Sequence, residues 1–179
     1  MEKRQGSNKK LNNSGMTLVE LIIVIAIIST VTGALILSTG IVEKSRLTNA
    51  FNKLQSAYSL SRTNSMSKSA TADLVLRSDG KYYYCQSGSE EEEKMGIANY
   101  SMKFVVYDES ANKETTYESF EKMAEAYGNK TAGTITIRFT RSGKLEPLKD
   151  GDDVYLSQMW LDDKVMYITY ETGKYSLEK

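Results

Sequence analysis

One carboxylate and one small group of cations are the side chains whose type and placement most invite a chemical reading. Glu20 is the third residue of an apolar run covering residues 18–37. On insertion scales an unpaired carboxylate costs about 2.5–3.5 kcal/mol at the centre of a bilayer, and less near a helix end where water is within reach. A charge kept at that cost implies a partner, and an ammonium group met away from water and lipid fits it. Such a pair sets register more than it adds stability. The cations are Arg138, Arg141, Lys144 and Lys149, the only local basic group suited to a nucleic-acid backbone. Over the whole chain 23 basic residues balance 23 acidic ones, so bulk charge favours neither DNA nor anionic lipid as the main partner.

Catalysis has little to work with. The chain has no histidine, which removes the usual acid/base group at neutral pH and the commonest zinc ligand. A serine nucleophile would need a lysine base, and Ser65-Met66-Ser67-Lys68 has that spacing only on a helix already committed to packing. In Lys149-Asp150-Gly151-Asp152-Asp153 the carboxylates are close together, but the glycine and the following glutamate miss the calcium-loop positions, and a solvated turn is the better reading. The like-charge run Glu90 to Glu93 repels itself and belongs in a solvated loop. Cys85, the single cysteine, lies beside three tyrosines and reads as a packing residue. No enzyme, cofactor or metal is expected.

The elements that must position Glu20 begin with the apolar run itself. About 20 apolar residues make a helix long enough to cross a hydrocarbon core of roughly 30 Å. Before it, Lys3, Arg4, Lys9 and Lys10 face one acidic residue, Glu2, so the leader stays in the cytoplasm and the chain downstream is exported. A secretory signal peptide, cleaved near Ser38 or Gly40, is the competing reading of the same pattern. Beyond the run the helical period continues without a proline. Leu47, Phe51, Leu54 and Tyr58 form one face for helix–sheet packing, and Lys44, Lys53, Gln55 and Arg62 form the other. One helix over residues 16–68 is expected.

Gly15 followed by Met16-Thr17-Leu18-Val19-Glu20-Leu21 resembles the cleavage and methylation motif of type IV pilins and type II secretion pseudopilins. The resemblance implies cleavage by a prepilin peptidase directly after Gly15, N-methylation of Met16, and an assembly role for Glu20. Methionine replaces the more common phenylalanine as the first mature residue. The implied partners are other pilins or pseudopilins, an assembly platform protein and an ATPase. The implied location is the cytoplasmic membrane with the amino terminus inside, then a surface filament or pseudopilus. Leu60-Ser61-Arg62-Thr63-Asn64-Ser65 is similar to the end of the helix in the GspH/FimT subgroup, where Arg62 has the alternative reading of a solvated helix charge.

Past the helix, residues 71–77 and 81–86 flank Ser78-Asp79-Gly80 and predict a hairpin. Residues 87–99 read as a loop. Met102, Phe104 and Val106 alternate as a half-buried strand, and residues 115–128 place Phe120, Met123, Ala124 and Tyr127 on one helical face with Gly128 as C-cap. Ile135, Ile137 and Phe139 open what reads as one antiparallel meander continued by residues 154–161, 165–170 and 175–177. The segments 137–143 and 168–174 look like the paired strand-glycine motifs that close GspH/FimT-type domains, although Gly143 and Gly173 also suit ordinary turns.

The expected fold is therefore α+β and pilin-like: a long N-terminal helix, its first half transmembrane, packed on antiparallel β-sheet, with a short inserted helix. Its segments are a leader at 1–15, a membrane or filament-core helix at 16–40, an amphipathic extension at 41–70 and an exported β-rich domain at 71–179. The expected function is that of a filament subunit, a minor pilin or pseudopilin. A competence pseudopilin that touches DNA through the Arg138 group is the alternative.

Overall fold

The computed structural model describes residues 17–67, 72–129 and 131–177, with the side chains of 33–39 outside the description. Gly15 and Met16 fall outside it. The chain divides into two compact units, residues 1–42 and 43–179.

Helix α1, Leu18–Ser67, runs through both units. Its start is closed by Thr17 and Glu20, which bond reciprocally across the first turn. In the first unit the helix is rich in Ile and Val, whose branched side chains are only average helix formers in water. In lipid such a run has no choice, because only a helix satisfies its own backbone there. Every described residue from Leu18 to Thr32 is exposed. Among the described residues no helix is long and apolar enough to cross a membrane. The residues at 34–37 that carry the run to full length are among those whose side chains are not described.

In the second unit the stripe behaves as its spacing demands. Leu47, Phe51, Leu54 and Tyr58 are buried, and the buried line includes Ala50, Ser61 and Ser65. The serines let the helix come close to the strands: Ser61 Oγ donates to Ser87 Oγ at 2.9 Å.

Two antiparallel sheets complete this unit. The first has the order β3-β2-β1-β6, with β1 at Leu74–Ser78, β2 at Tyr82–Ser87, β3 at Glu93–Ile97 and β6 at Thr134–Ile137. The second has the order β5-β4-β7-β8-β9, with β4 at Met102–Asp108, β5 at Lys113–Tyr117, β7 at Val154–Leu161, β8 at Lys164–Thr169 and β9 at Lys174–Ser176. Helix α2, Phe120–Tyr127, lies between β5 and β6 in the chain. One core joins the α1 stripe to Leu74 and Leu76 of β1, Phe104 of β4, Phe120 of α2, Ile135 of β6 and Leu156 of β7. This is the expected pilin-like α+β architecture: a long N-terminal helix on antiparallel sheets with a short inserted helix.

The β1–β2 hairpin forms as expected. Asp79 Oδ1 accepts from the backbone N–H groups of Lys81 and Tyr82, and Gly80 takes φ +80. Three expectations need correction. Residues 93–97 are not loop but strand β3, because Met95 is buried while opposite charges neutralise the acidic run one residue at a time. Arg77 Nε meets Glu92 Oε1 at 2.6 Å and Lys53 Nζ meets Glu93 Oε1 at 2.7 Å. The helix expected from 115 starts five residues later, since Lys113–Tyr117 pairs with β4 as an edge strand and Ser119 caps α2 by accepting from Lys122 N–H.

The third correction concerns the meander, which is split. β6 pairs with β1 in the first sheet, and only β7, β8 and β9 follow one another in the second. Alternation of side chains is the same in both sheets and does not say which neighbour a strand takes. Gly128 does close α2, through its N–H to Ala124 O at 3.0 Å, but in extended rather than left-handed backbone. Glycine is required there because a Cβ would run into the Thr134 carbonyl.

Candidate assembly site

The first unit presents one polar group among apolar ones. The Glu20 carboxylate accepts from Thr17 N–H and from Thr17 Oγ1, each at 2.9 Å and both at Oε2, while Glu20 N–H donates to Thr17 Oγ1 at 3.3 Å. A capping box of this kind satisfies two backbone donors that a helix start leaves orphaned. Among the described residues Oε1 has no partner. Around it Leu18 is 75% exposed, Ile25 55% and Ile28 59%, with Val19, Leu21 and Ile22 also bare. Together with Ile23, Val24 and Ile27, which are exposed as well, these residues occupy every side of the helix. A helix apolar all round is one that other helices or lipid must cover. The Thr-x-x-Glu spacing that signals this box stands in the sequence as Thr17-Leu18-Val19-Glu20.

In the second unit the site residues expected for packing are in the core. Tyr58 goes further, because its hydroxyl donates to Gly173 O at 3.0 Å and its ring meets Phe139 and Tyr175 edge-on. Burial pushes the Tyr58 phenol well above its ordinary pKa. One turn along α1, Arg62 is not a solvated charge. Its Nε donates to Gly143 O and to Thr172 O at 3.2 Å, and its Nη2 donates to Thr172 O at 3.1 Å. One guanidinium therefore clamps both strand-glycine loops.

The reason for glycine follows from that clamp. Gly173 has φ +62, and a Cβ there would run into the Gly143 carbonyl. The pairing of Arg62 with these loops is a contact over more than 80 residues, which no local spacing signals.

Within the basic group Arg138 is not a free cation. Arg138 turns to carboxylates, at 3.2 Å from Asp150 and 3.9 Å from Asp73. Arg141 and Lys144 sit exposed in the turn joined by the Phe139–Leu145 bridge, and Lys149 opens the turn closed by Asp152 N–H to Lys149 O. Cys85 is buried on β2, where burial pushes its thiol up to about 11. Among the described residues no cluster of three potential metal ligands occurs.

A helix whose exposed apolar face opens on a carboxylate, joined in sequence to an α+β unit built on the same helix, defines a pilin-like protein. The family model described as Prokaryotic N-terminal methylation motif matches residues 10–36, which takes in Gly15, Met16 and Glu20. No curated protein and no solved structure matches the chain.

Proposed function

We propose that the chain is a structural subunit, a minor pilin or pseudopilin of a type IV pilus-like filament or type II secretion pseudopilus. It is cleaved after Gly15, methylated on the Met16 nitrogen and assembled through its apolar helix. The observation that carries this reading is the Glu20 carboxylate, whose Oε1 has no partner among the described residues, at the head of a helical stretch that is apolar and exposed on every side over residues 18–31. Cleavage after Gly15 creates an α-amino group one residue before the capping box, and N-methylation leaves that amine able to carry a proton and its charge. In a bundle of such helices the ammonium of a neighbour meets Glu20 Oε1, and the pair fixes how far one helix slides past the next. The precursor waits in the cytoplasmic membrane with its amino terminus inside and its second unit exported. Prepilin peptidase, a platform protein and an ATPase act on it there, and other pilins cover the helix in the filament.

The clamp of Arg62 on Gly143 and Thr172 supports placing the subunit near the GspH/FimT type, whose resemblance rests on those segments. The DNA-uptake alternative has less support, since Arg138 is engaged by two carboxylates.

Mass spectrometry of the native amino terminus tests the processing. Methyl-Met16 is expected, whereas a start near Ile41 would mean a signal peptide. Glu20→Ala tests the assembly: export should be retained and filament incorporation lost, and normal incorporation of that variant would remove the proposed role of Glu20.

A further inference from the structure

The second unit carries two open grooves of opposite charge, each built around an aromatic ring. The first, of about 460 Å3, lies between α1 and the β2–β3 edge, with Arg46, Asn49 and Lys53 on the helix side and Tyr82, Lys94 and Tyr100 on the sheet side. Lys94 Nζ sits 3.0 Å from the centroid of the Tyr82 ring and Lys81 Nζ 5.4 Å from it. Lys53 is held by Glu93 at 2.7 Å. Three cations, Arg46, Lys53 and Lys94, line the groove with no carboxylate among its lining residues, Lys81 stands beside its Tyr82 ring, and among the described residues no carboxylate pairs with Arg46, Lys81 or Lys94.

The second groove, of about 390 Å3, lies on the outer face of β4, β5 and β7 in the other sheet. Trp160 forms its platform, fixed by Nε1 donating to Gln158 Oε1 at 2.9 Å. Three carboxylates, Glu114, Glu118 and Asp162, border it against one ammonium, Lys103, which Glu118 holds at 2.7 Å. Glu114 and Asp162 have no ion-pair partner among the described residues.

We infer that these two grooves are the two halves of one contact between copies of this chain, the basic Tyr82 groove of one seated on the acidic Trp160 groove of the next. The inference rests on the filament reading above and names the surfaces through which the second units meet. Charge complementarity selects this occupant. Surplus cations on an aromatic face call for carboxylates, surplus carboxylates on an indole face call for cations that stack on a ring, and the chain supplies both. Because the two surfaces differ, the contact is heterologous, and each copy added by one contact still offers one groove of each sign. Such contacts grow open helical arrays rather than closed pairs. Two of these charges, Lys94 and Glu114, lie on β3 and β5, edge strands that would otherwise be open to indiscriminate strand addition.

The test uses the full-length chain in detergent micelles with tagged and untagged copies. R46E/K94E makes both grooves acidic, and E114K/E118K makes both basic; each variant alters only exposed side chains, and circular dichroism checks that it folds. Each variant alone should lose self-association by about tenfold or more, because like charges then face each other. Mixing the two variants should restore association, and a carbodiimide cross-linker should join Lys81 or Lys94 of wild-type copies to Glu114 or Asp162. Self-association of either variant at the wild-type level, a mixture that does not recover, or cross-links mapping elsewhere would each overturn the inference. An unprocessed amino terminus would instead sink the filament reading while leaving this pairing measurable. Methyl-Met16 with no recovery in the mixture would sink the pairing alone.

Discussion

The two stretches of α1 hold similar apolar residues and meet opposite fates. Between residues 18 and 32 Leu, Ile and Val stand bare, with Ile25 55% exposed, whereas Leu54 and Tyr58 further along are 0% exposed. The difference is arrangement rather than content. A stripe with a polar back can be covered by one layer of sheet, and the second unit supplies that layer from its own chain. A ring of apolar residues cannot be covered from one side, so its cover must come from lipid or from several helices of other molecules. The buried stretch therefore serves folding, and the bare stretch is the one the proposed assembly draws on.

Leu54→Ala should separate the two most sharply. It opens a cavity in the core and should cost about 2–5 kcal/mol in urea unfolding of the full-length chain. Ile25→Ala in the bare stretch should leave that unfolding unchanged and lower filament incorporation instead. Equal effects of both on unfolding would erase the distinction.

Arg62→Ala comes next. It deprives two carbonyls of a charged donor, so a loss of about 1.5–3 kcal/mol is expected by the same measurement, with Arg62→Lys recovering part of it. Wild-type stability in Arg62→Ala would return this residue to the status of a solvated charge.

An alkaline titration sharpens the contrast from within the buried region. Burial raises the Cys85 thiol to about 11 and the Tyr83 phenol to about 12, from ordinary values of 9.0 and 10.0. The unfolded chain ionises these groups first. Stability should thus be fully present below pH 9 and fall as pH rises, through about 9–11 for Cys85 and then 10–12 for Tyr83. Cys85→Ala should flatten the first part of that fall in urea midpoints, and iodoacetamide at pH 8 should label Cys85 only after unfolding.

The smallest effect is expected at Arg77→Ala. It breaks the exposed pair between β1 and Glu92, just before β3, and should cost under about 1 kcal/mol in the same unfolding measurement.

Much of this molecule is legible in its sequence where a signal is local. The spacing of Leu47, Phe51, Leu54 and Tyr58 foretells the buried face, Asp79-Gly80 foretells the hairpin, and the residues around Glu20 carry both the family motif and the helix cap. Strand β3 is hidden because its evidence is paired charge: Glu92 and Glu93 look self-repelling until Arg77 and Lys53 arrive from other elements. The division of the last strands between two sheets is hidden for a related reason. Ile135 and Leu156 alternate with polar neighbours in the same way, and only three-dimensional pairing gives β6 to β1.

Arg62 marks the boundary between the two kinds of information. By itself the sequence determined that a helix would run from an apolar, carboxylate-bearing head into an amphipathic tail, because period, capping and hydropathy act over a few residues. What Arg62 does there, and why Gly143 and Gly173 must be glycines, only the tertiary structure decided. Those contacts join residues 81 and 110 positions apart, and such pairings arise only when the sheets have brought their loops to the helix.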